Sequence, residues 1–248
     1  MSDRESGIEG YLGFLQSLLS RCPSQFLFGG QAVNFWADYF DRNSHSKELH
    51  ALRPFTSKDC DIWVSSRAWT EIRKAESSRL VQSASPIDGQ LGILTLQQSP
   101  LRVVDLMSGV YGIRQEELAR LCERAPVFNG VKVIDPIFLF RSKCHCLLGL
   151  DQSDRQDERH VRMLALILPE YLSLLIDAID TEKLGERAIL KEIKLLNKIL
   201  GTHACRRALA RLEIDPNALI PWSKLETCGL ETLSAFASAK KNLLRPDG

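Results

Sequence analysis

The sequence of 248 residues predicts an α+β fold, in which a mixed sheet with flanking helices is followed by a C-terminal helical domain. Two observations lead to this prediction. Short apolar and β-branched runs alternate with helical patterns up to residue 134, and helical periodicity prevails from Asp135 onward. We therefore divide the chain into a first domain at 1–134 and a helical domain at 135–248.

The elements of the first domain follow from hydrophobic periodicity and from turn residues. Helices are predicted at 8–19, 29–38 and 67–79, and strands at 26–28, 59–64, 92–97 and 102–107. Ser99 and Pro100 would turn the chain between the last two strands, which makes them a hairpin. Asn129 and Gly130 are typical of a tight hairpin turn.

The helical domain begins with a capping signal. Asp135 accepts backbone hydrogen bonds at a helix start, and Pro136 is pre-organised for the first helical position. Further helices are predicted at 155–178 and 182–200, and Gly201 suits the end of the second.

An acidic pair is the most informative feature of the chain. Asp59 and Asp61 stand one residue apart at the start of an apolar stretch. On a strand, side chains at i and i+2 share a face, so the two carboxylates would repel each other. A hard divalent cation offsets such repulsion, and oxygen-only ligands favour Mg²⁺ or Mn²⁺ over zinc.

Two further features accompany the acidic pair. Gly29 and Gly30 lie between a predicted strand and a predicted helix, where glycines let a phosphate approach backbone N–H groups. Asp105 lies between Val104 and Leu106 inside another apolar strand. A carboxylate in that position is unfavourable to bury without a cation or hydrogen-bond donors.

The order strand, Gly29-Gly30, helix, Asp59-x-Asp61 and a later strand Asp resembles that of the polymerase-β-like nucleotidyltransferase superfamily. The match is most similar to the AbiEii/AbiGii-toxin type, in Gly29-Gly30-Gln31-Ala32 and in Ser57-Lys58-Asp59-Cys60-Asp61. The blocks around Lys143 and Asp157 are similar to that family's later Lys and Asp motifs. The resemblance covers residues 25–165.

The resemblance implies a metal-dependent enzyme that transfers a nucleoside monophosphate from an NTP to a hydroxyl acceptor. Asp59 and Asp61 would bridge two Mg²⁺ or Mn²⁺ ions, and Asp105 would complete the site on the acceptor side. Gly29 and Gly30 would hold the triphosphate through backbone N–H groups.

Each of three polar residues has two alternative interpretations. Ser57 either bonds phosphate or caps its turn. Lys143 either neutralises the triphosphate or is a solvated helix lysine. Asp157 either orients Lys143 or the nucleotide, or is an ordinary acid of a first helical turn. His145 and His160 are interpreted as packed or surface residues without a catalytic role.

The acceptor stays open between tRNA or other RNA, a protein hydroxyl and a small molecule. The resemblance also implies a toxin-like enzyme with an antitoxin-type protein partner. The competing hypothesis is a non-catalytic module of the same fold that binds nucleotide or a partner protein. Three clustered acids favour the enzyme, because a module without catalysis does not need such unfavourable charge.

Composition excludes several classes of protein. Lys and Arg number 32 against 31 Asp and Glu, so no global charge attracts the chain to nucleic acid or to membranes. The acidic, polar start and the lack of a long apolar run predict a cytoplasmic protein without a membrane segment. The seven cysteines are therefore expected to be reduced thiols.

Overall fold

A computed structural model describes residues 6–44, 46–84, 89–96, 101–179 and 185–244. By compactness the chain divides into two units, 1–164 and 165–248. The boundary falls inside a long helix at 157–177. The first unit therefore includes two stretches of helix that the sequence analysis grouped with the C-terminal domain.

The described part of the chain alternates strands and helices before it becomes wholly helical, which confirms the predicted fold class. In chain order the elements are α1 Leu12–Arg21, β1 Gln25–Phe28, α2 Gly29–Ser44, α3 Lys47–His50, β2 Cys60–Val64, α4 Ser66–Ala75, β3 Leu80–Gln82, β4 Gln90–Leu96, β5 Arg102–Met107, α5 Gln115–Arg124, β6 Val127–Phe128, β7 Val131–Lys132, α6 Pro136–Gly149, α7 Asp157–Asp177, α8 Glu186–Leu200, α9 His203–Arg211, α10 Trp222–Thr227 and α11 Glu231–Leu244.

The main sheet has five strands in the order β1-β2-β5-β4-β3. Strand β2 pairs antiparallel with β1 and parallel with β5, and the remaining pairs are antiparallel. The sheet is therefore mixed, as predicted. The parallel pair lies near its centre and places Asp61 opposite Asp105. This register brings together two acids that are far apart in sequence.

Alternation along β2 and β5 separates core side chains from the acids. Cys60, Ile62, Val104 and Leu106 have no exposed surface. Asp61 and Asp105 are only partly buried and point to the other face, because neighbours in a strand project to opposite faces. The apolar face forms part of the core, and the opposite face carries the carboxylates.

Several predicted local structures are confirmed. The turn between β6 and β7 has positive φ angles at Asn129 (49°) and Gly130 (73°), as a tight two-residue hairpin turn requires. The side chain of Asp135 accepts hydrogen bonds from the backbone N–H groups of Ile137 and Phe138, both at 3.1 Å, and caps α6. The predicted turn at Ser99 and Pro100 lies outside the described residues, as do 182–184 of a predicted helix.

The second unit is helical in all its described elements. Its core consists of apolar side chains such as Ile193, Leu196, Leu209 and Leu225, which are at most 1% exposed. None of the helices in the described part of the chain combines the length and the apolar character that crossing a membrane requires.

Candidate active cleft

A polar cleft in the first unit collects most of the residues that the sequence analysis singled out. It has about 550 Å³ of empty space, part of which is open to solvent. Its lining comes from the start of α2, the segment before and within β2, α6, the segment that precedes α7, and the start of α7. The lining residues are Gly30, Ser57, Lys58, Asp59, Asp61, Lys143, Asp154, Arg155, Gln156, Asp157 and His160.

The glycine pair lies against the acids and the polar wall of this cleft. Gly29 has a φ of +70°, and a Cβ atom there would lie 1.8 Å from a carboxylate oxygen of Asp61. A Cβ atom on Gly30 would lie 2.5 Å from Oγ of Ser57. Only glycine therefore fits position 29, where both backbone angle and space exclude a side chain. The bare backbone at Gly30 places the N-terminal turn of α2 at the cleft.

The three predicted acids occupy neighbouring positions. Asp59 immediately precedes β2 and lines the cleft together with Asp61. Asp105 lies directly opposite Asp61 on the adjacent strand, and residues in register on parallel strands point to the same face. The carboxylate of Asp105 accepts a hydrogen bond of 3.2 Å from Gln90 on β4. The structure thus brings the acids to one face, with Asp105 beside the lining of the cleft rather than in it.

The electrostatics of Asp61 reflect this crowding. Burial, followed by the charge of Asp59, raises the pKa of Asp61 to about 7, and Asp105 contributes to the rise. The positive charges of Lys143 and Arg155 act in the opposite direction but do not restore the ordinary pKa. Nearby positive charge therefore compensates the ionised form of Asp61 only in part.

The donor set of this cluster fits a hard divalent cation. Asp59 and Asp61 offer only oxygen ligands, and a cation beside them would compensate the charge that raises the pKa of Asp61. Over the described ranges, no three Asp, Glu, His or Cys side chains are already grouped closely enough to hold a metal ion. Asp59 and Asp61 are thus the residues that would hold Mg²⁺ or Mn²⁺, and the hydrogen bond with Gln90 turns the carboxylate of Asp105 toward β4.

Lys143 and Asp157, which both line the cleft, form a buried ion pair. Their charged atoms are 2.8 Å apart, and the two side chains are 6% and 1% exposed. Arg155 adds a second contact to Asp157 at 2.5 Å. Burial opposes the ionisation of Asp157, but Lys143 and Arg155 outweigh it and lower its pKa to about 2. Lys143 is therefore not a solvated helix lysine, and Asp157, although in the first turn of α7, does orient it.

Ser57 is held in place by its backbone, whose N–H and C=O groups exchange hydrogen bonds of 3.1 Å with Ser6. Its side chain faces Gly30 at the cleft. This position favours the phosphate interpretation of Ser57 over the turn-capping one.

Sequence reasoning missed several residues of the cleft. Lys58, Arg155 and Gln156 line it, and Gln90 holds Asp105. His160 was assigned no role, yet it lines the cleft and is 3% exposed. The spacing of His160 three residues after Asp157 on one helix is a signal that places both on the same face.

Comparison with known proteins identifies no relative. No protein-family model matches this chain, no curated protein matches it, and no solved structure matches it. The assignment of a function therefore rests on the cleft itself.

Proposed function

We propose that this chain is a metal-dependent nucleotidyltransferase that transfers a nucleoside monophosphate from an NTP to a hydroxyl acceptor. One observation supports the proposal above all. The N-terminal turn of α2 at Gly30, the acids Asp59 and Asp61, and the buried cation Lys143 all line one polar cleft. A helix start and a lysine suit a polyphosphate, and the acids suit the cation that accompanies it.

In this proposal each group has a separate task. Backbone N–H groups at Gly30 hold the triphosphate, and the ammonium group of Lys143 offsets the charge that builds up on the leaving pyrophosphate. The acceptor oxygen bonds to the α-phosphorus while the bond to the pyrophosphate oxygen breaks. The Asp105 carboxylate takes the proton of the hydroxyl group. Asp59 and Asp61 would hold a divalent cation, which would supply charge neutralisation and in-line alignment when bound.

The non-catalytic module remains the second candidate, and one observation favours it. The hydrogen bond from Gln90 occupies an oxygen of Asp105, the acid assigned to the acceptor side. A protein that only binds nucleotide has no need of a free carboxylate there. The enzyme requires that Asp105 accept the acceptor hydroxyl in addition to Gln90 or in its place.

A transfer assay tests the proposal. The purified chain is incubated with each α-labelled NTP, Mg²⁺ and fractionated RNA, protein and small-molecule extracts, and labelled acceptor is measured. The Asp61→Asn variant should lose transfer by at least about 100-fold, because several kcal/mol of transition-state charge stabilisation depend on it.

Asp154→Asn is the matched control, since Asp154 lines the same cleft but its side chain is 91% exposed. It should transfer within a few-fold of the wild type. Binding of NTP without transfer to any fraction would favour the non-catalytic module, and full transfer by Asp61→Asn would exclude the proposed metal ligands.

A further inference from the structure

His160 is a buried residue whose polar atoms lack partners. It lies in the first turn of α7 and is 3% exposed. Neither ring nitrogen has a hydrogen-bond partner among the residues that the structure describes. A buried imidazole that only fills space carries the full desolvation penalty of those nitrogens, whereas an apolar side chain of similar shape would not. Packing alone therefore does not explain a histidine at this position.

The ring points to the start of α2. Its Cε1 atom would lie 3.2 Å from a Cβ atom on Gly30, and His160 belongs to the lining of the cleft. In an imidazole, Cε1 lies between the two nitrogens, so the edge that faces Gly30 carries both of them. The unpartnered nitrogens thus flank the helix N-terminus that suits an anion.

The charge state of His160 limits what it can bind. Burial, followed by the nearby charge of Lys143, lowers the pKa of His160 well below its ordinary value. The ring is therefore neutral at physiological pH, with one N–H donor and one acceptor nitrogen. A neutral donor contributes a directed hydrogen bond, while Lys143 provides the positive charge.

We propose that His160 binds a polyphosphate directly. A non-bridging phosphate oxygen accepts a hydrogen bond from the imidazole N–H at the Gly30 turn. The inference rests on the proposed function, because the polyphosphate is the triphosphate of the NTP or the pyrophosphate product. It assigns His160 to the binding of the phosphate chain and not to the base or to the acceptor. His160 and the backbone at Gly30 would hold one end of that chain, with Lys143 beside it.

Calorimetric binding of inorganic tripolyphosphate, and of a non-hydrolysable NTP analogue with Mg²⁺, tests this role. His160→Phe removes both nitrogens and should weaken binding of both probes about 10-fold to 100-fold, as expected for one hydrogen bond to a charged acceptor. The melting temperature without ligand should be unchanged or higher, because the variant buries no unpartnered polar atom. His160→Gln retains an N–H donor and should bind within about 5-fold of the wild type.

His145→Phe is the control, since His145 lies on α6 outside the lining of the cleft. It should bind both probes like the wild type. If His160→Phe does not fold, the smaller His160→Leu replaces it. Unchanged affinity for both probes in the variant without ring nitrogens would overturn the inference, and so would a wild type that binds neither probe.

The outcomes separate this inference from the proposed function. Binding that depends on His160 in a protein that transfers nothing would uphold the inference and count against the enzyme. If the wild type transfers nucleotide and His160→Phe binds both probes as tightly as the wild type, the enzyme is upheld and the inference about His160 is overturned.

Discussion

The two units of the chain differ in what they bury. In the described residues, all buried polar and charged side chains belong to the first unit, namely Gln25, Gln31, Asn34, Asp41, Ser57, Glu76, Asp135, Ser142, Lys143, Asp157 and His160. The buried side chains of the second unit are apolar. The basic residues of α8 in the second unit are exposed and lie on one face of the helix. They are Arg187, Lys191, Lys194 and Lys198.

This difference indicates where the chain carries chemistry. Buried polar groups destabilise a fold unless they are paired, so a core gains nothing in stability from them over well-packed apolar residues. The second unit packs mainly apolar side chains, and among its described residues the indole N–H of Trp222 is a buried polar group without a partner. The first unit keeps a buried ion pair and an unpartnered imidazole beside a cleft. We infer that these groups are retained for binding, and the following predictions test that contrast.

The largest effect on stability is expected when the buried ion pair of the first unit is broken. Asp157→Asn leaves the ammonium group of Lys143 buried without its main counter-charge. Removal of one partner from such a pair destabilises a protein by roughly 3–5 kcal/mol. The free energy of unfolding in urea at pH 7 measures this loss.

The pH dependence gives a second measurement of the same pair. The folded-state pKa of Asp157 is lowered to about 2, so its contribution to stability is present above the ordinary pKa of an aspartate and is lost as pH falls toward 2. Asp157→Asn should lack this acid-dependent component. The double variant Lys143→Met/Asp157→Leu should regain most of the lost stability while binding NTP weakly. A double variant as unstable as Asp157→Asn would show that the ion pair is not the cause.

A cavity created in the second unit should lower the stability of the protein without changing the affinity of the cleft for NTP. Ile193 is completely buried on α8, and Ile193→Ala should lower the free energy of unfolding by roughly 2–5 kcal/mol through lost burial and the cavity left behind. All residues that line the cleft lie within 1–164. The affinity for NTP below the melting temperature should therefore stay within about 2-fold. A large change in affinity would contradict the division of tasks between the units.

The elements that sequence patterns predicted best are those with strong local signals. The strands β1, β2 and β5 and the capped start of α6 follow from apolar runs and from Asp135-Pro136. The short elements α3 and β3 escaped prediction, because four and three residues carry too little periodicity. Helix α5 was also missed, although its buried Leu118, Leu121 and Cys122 follow a helical spacing.

The candidate site could be predicted only in part. The acids, the glycine pair and Lys143 could be selected as site residues from the sequence, because each residue type is chemically unusual in its local context. The register that sets Asp61 opposite Asp105 depends on the strand order β1-β2-β5-β4-β3, which no local pattern contains. The His160 ring likewise approaches Gly30, which is distant from it in sequence. Long-range contacts therefore decide which residues share the cleft.

The smallest effect is expected from adding a divalent cation to the first unit. A cation that binds only the folded state stabilises it, and at ten times its dissociation constant the gain is about 1.4 kcal/mol. For a chain of this size the gain corresponds to a rise of a few degrees in melting temperature. Thermal unfolding with Mn²⁺ or Mg²⁺ against a metal-free sample measures this shift.

Asp61→Asn should lose most of the metal-induced shift, because the substitution removes a ligand and the negative charge that the cation compensates. Without metal the same variant should be at least as stable as the wild type, since burial and Asp59 disfavour the charge of Asp61 in the folded state. Asp177→Asn, which changes an exposed acid of the second unit, should keep the full shift. An equal shift in Asp61→Asn would place the cation elsewhere and remove the main chemical difference between the two units.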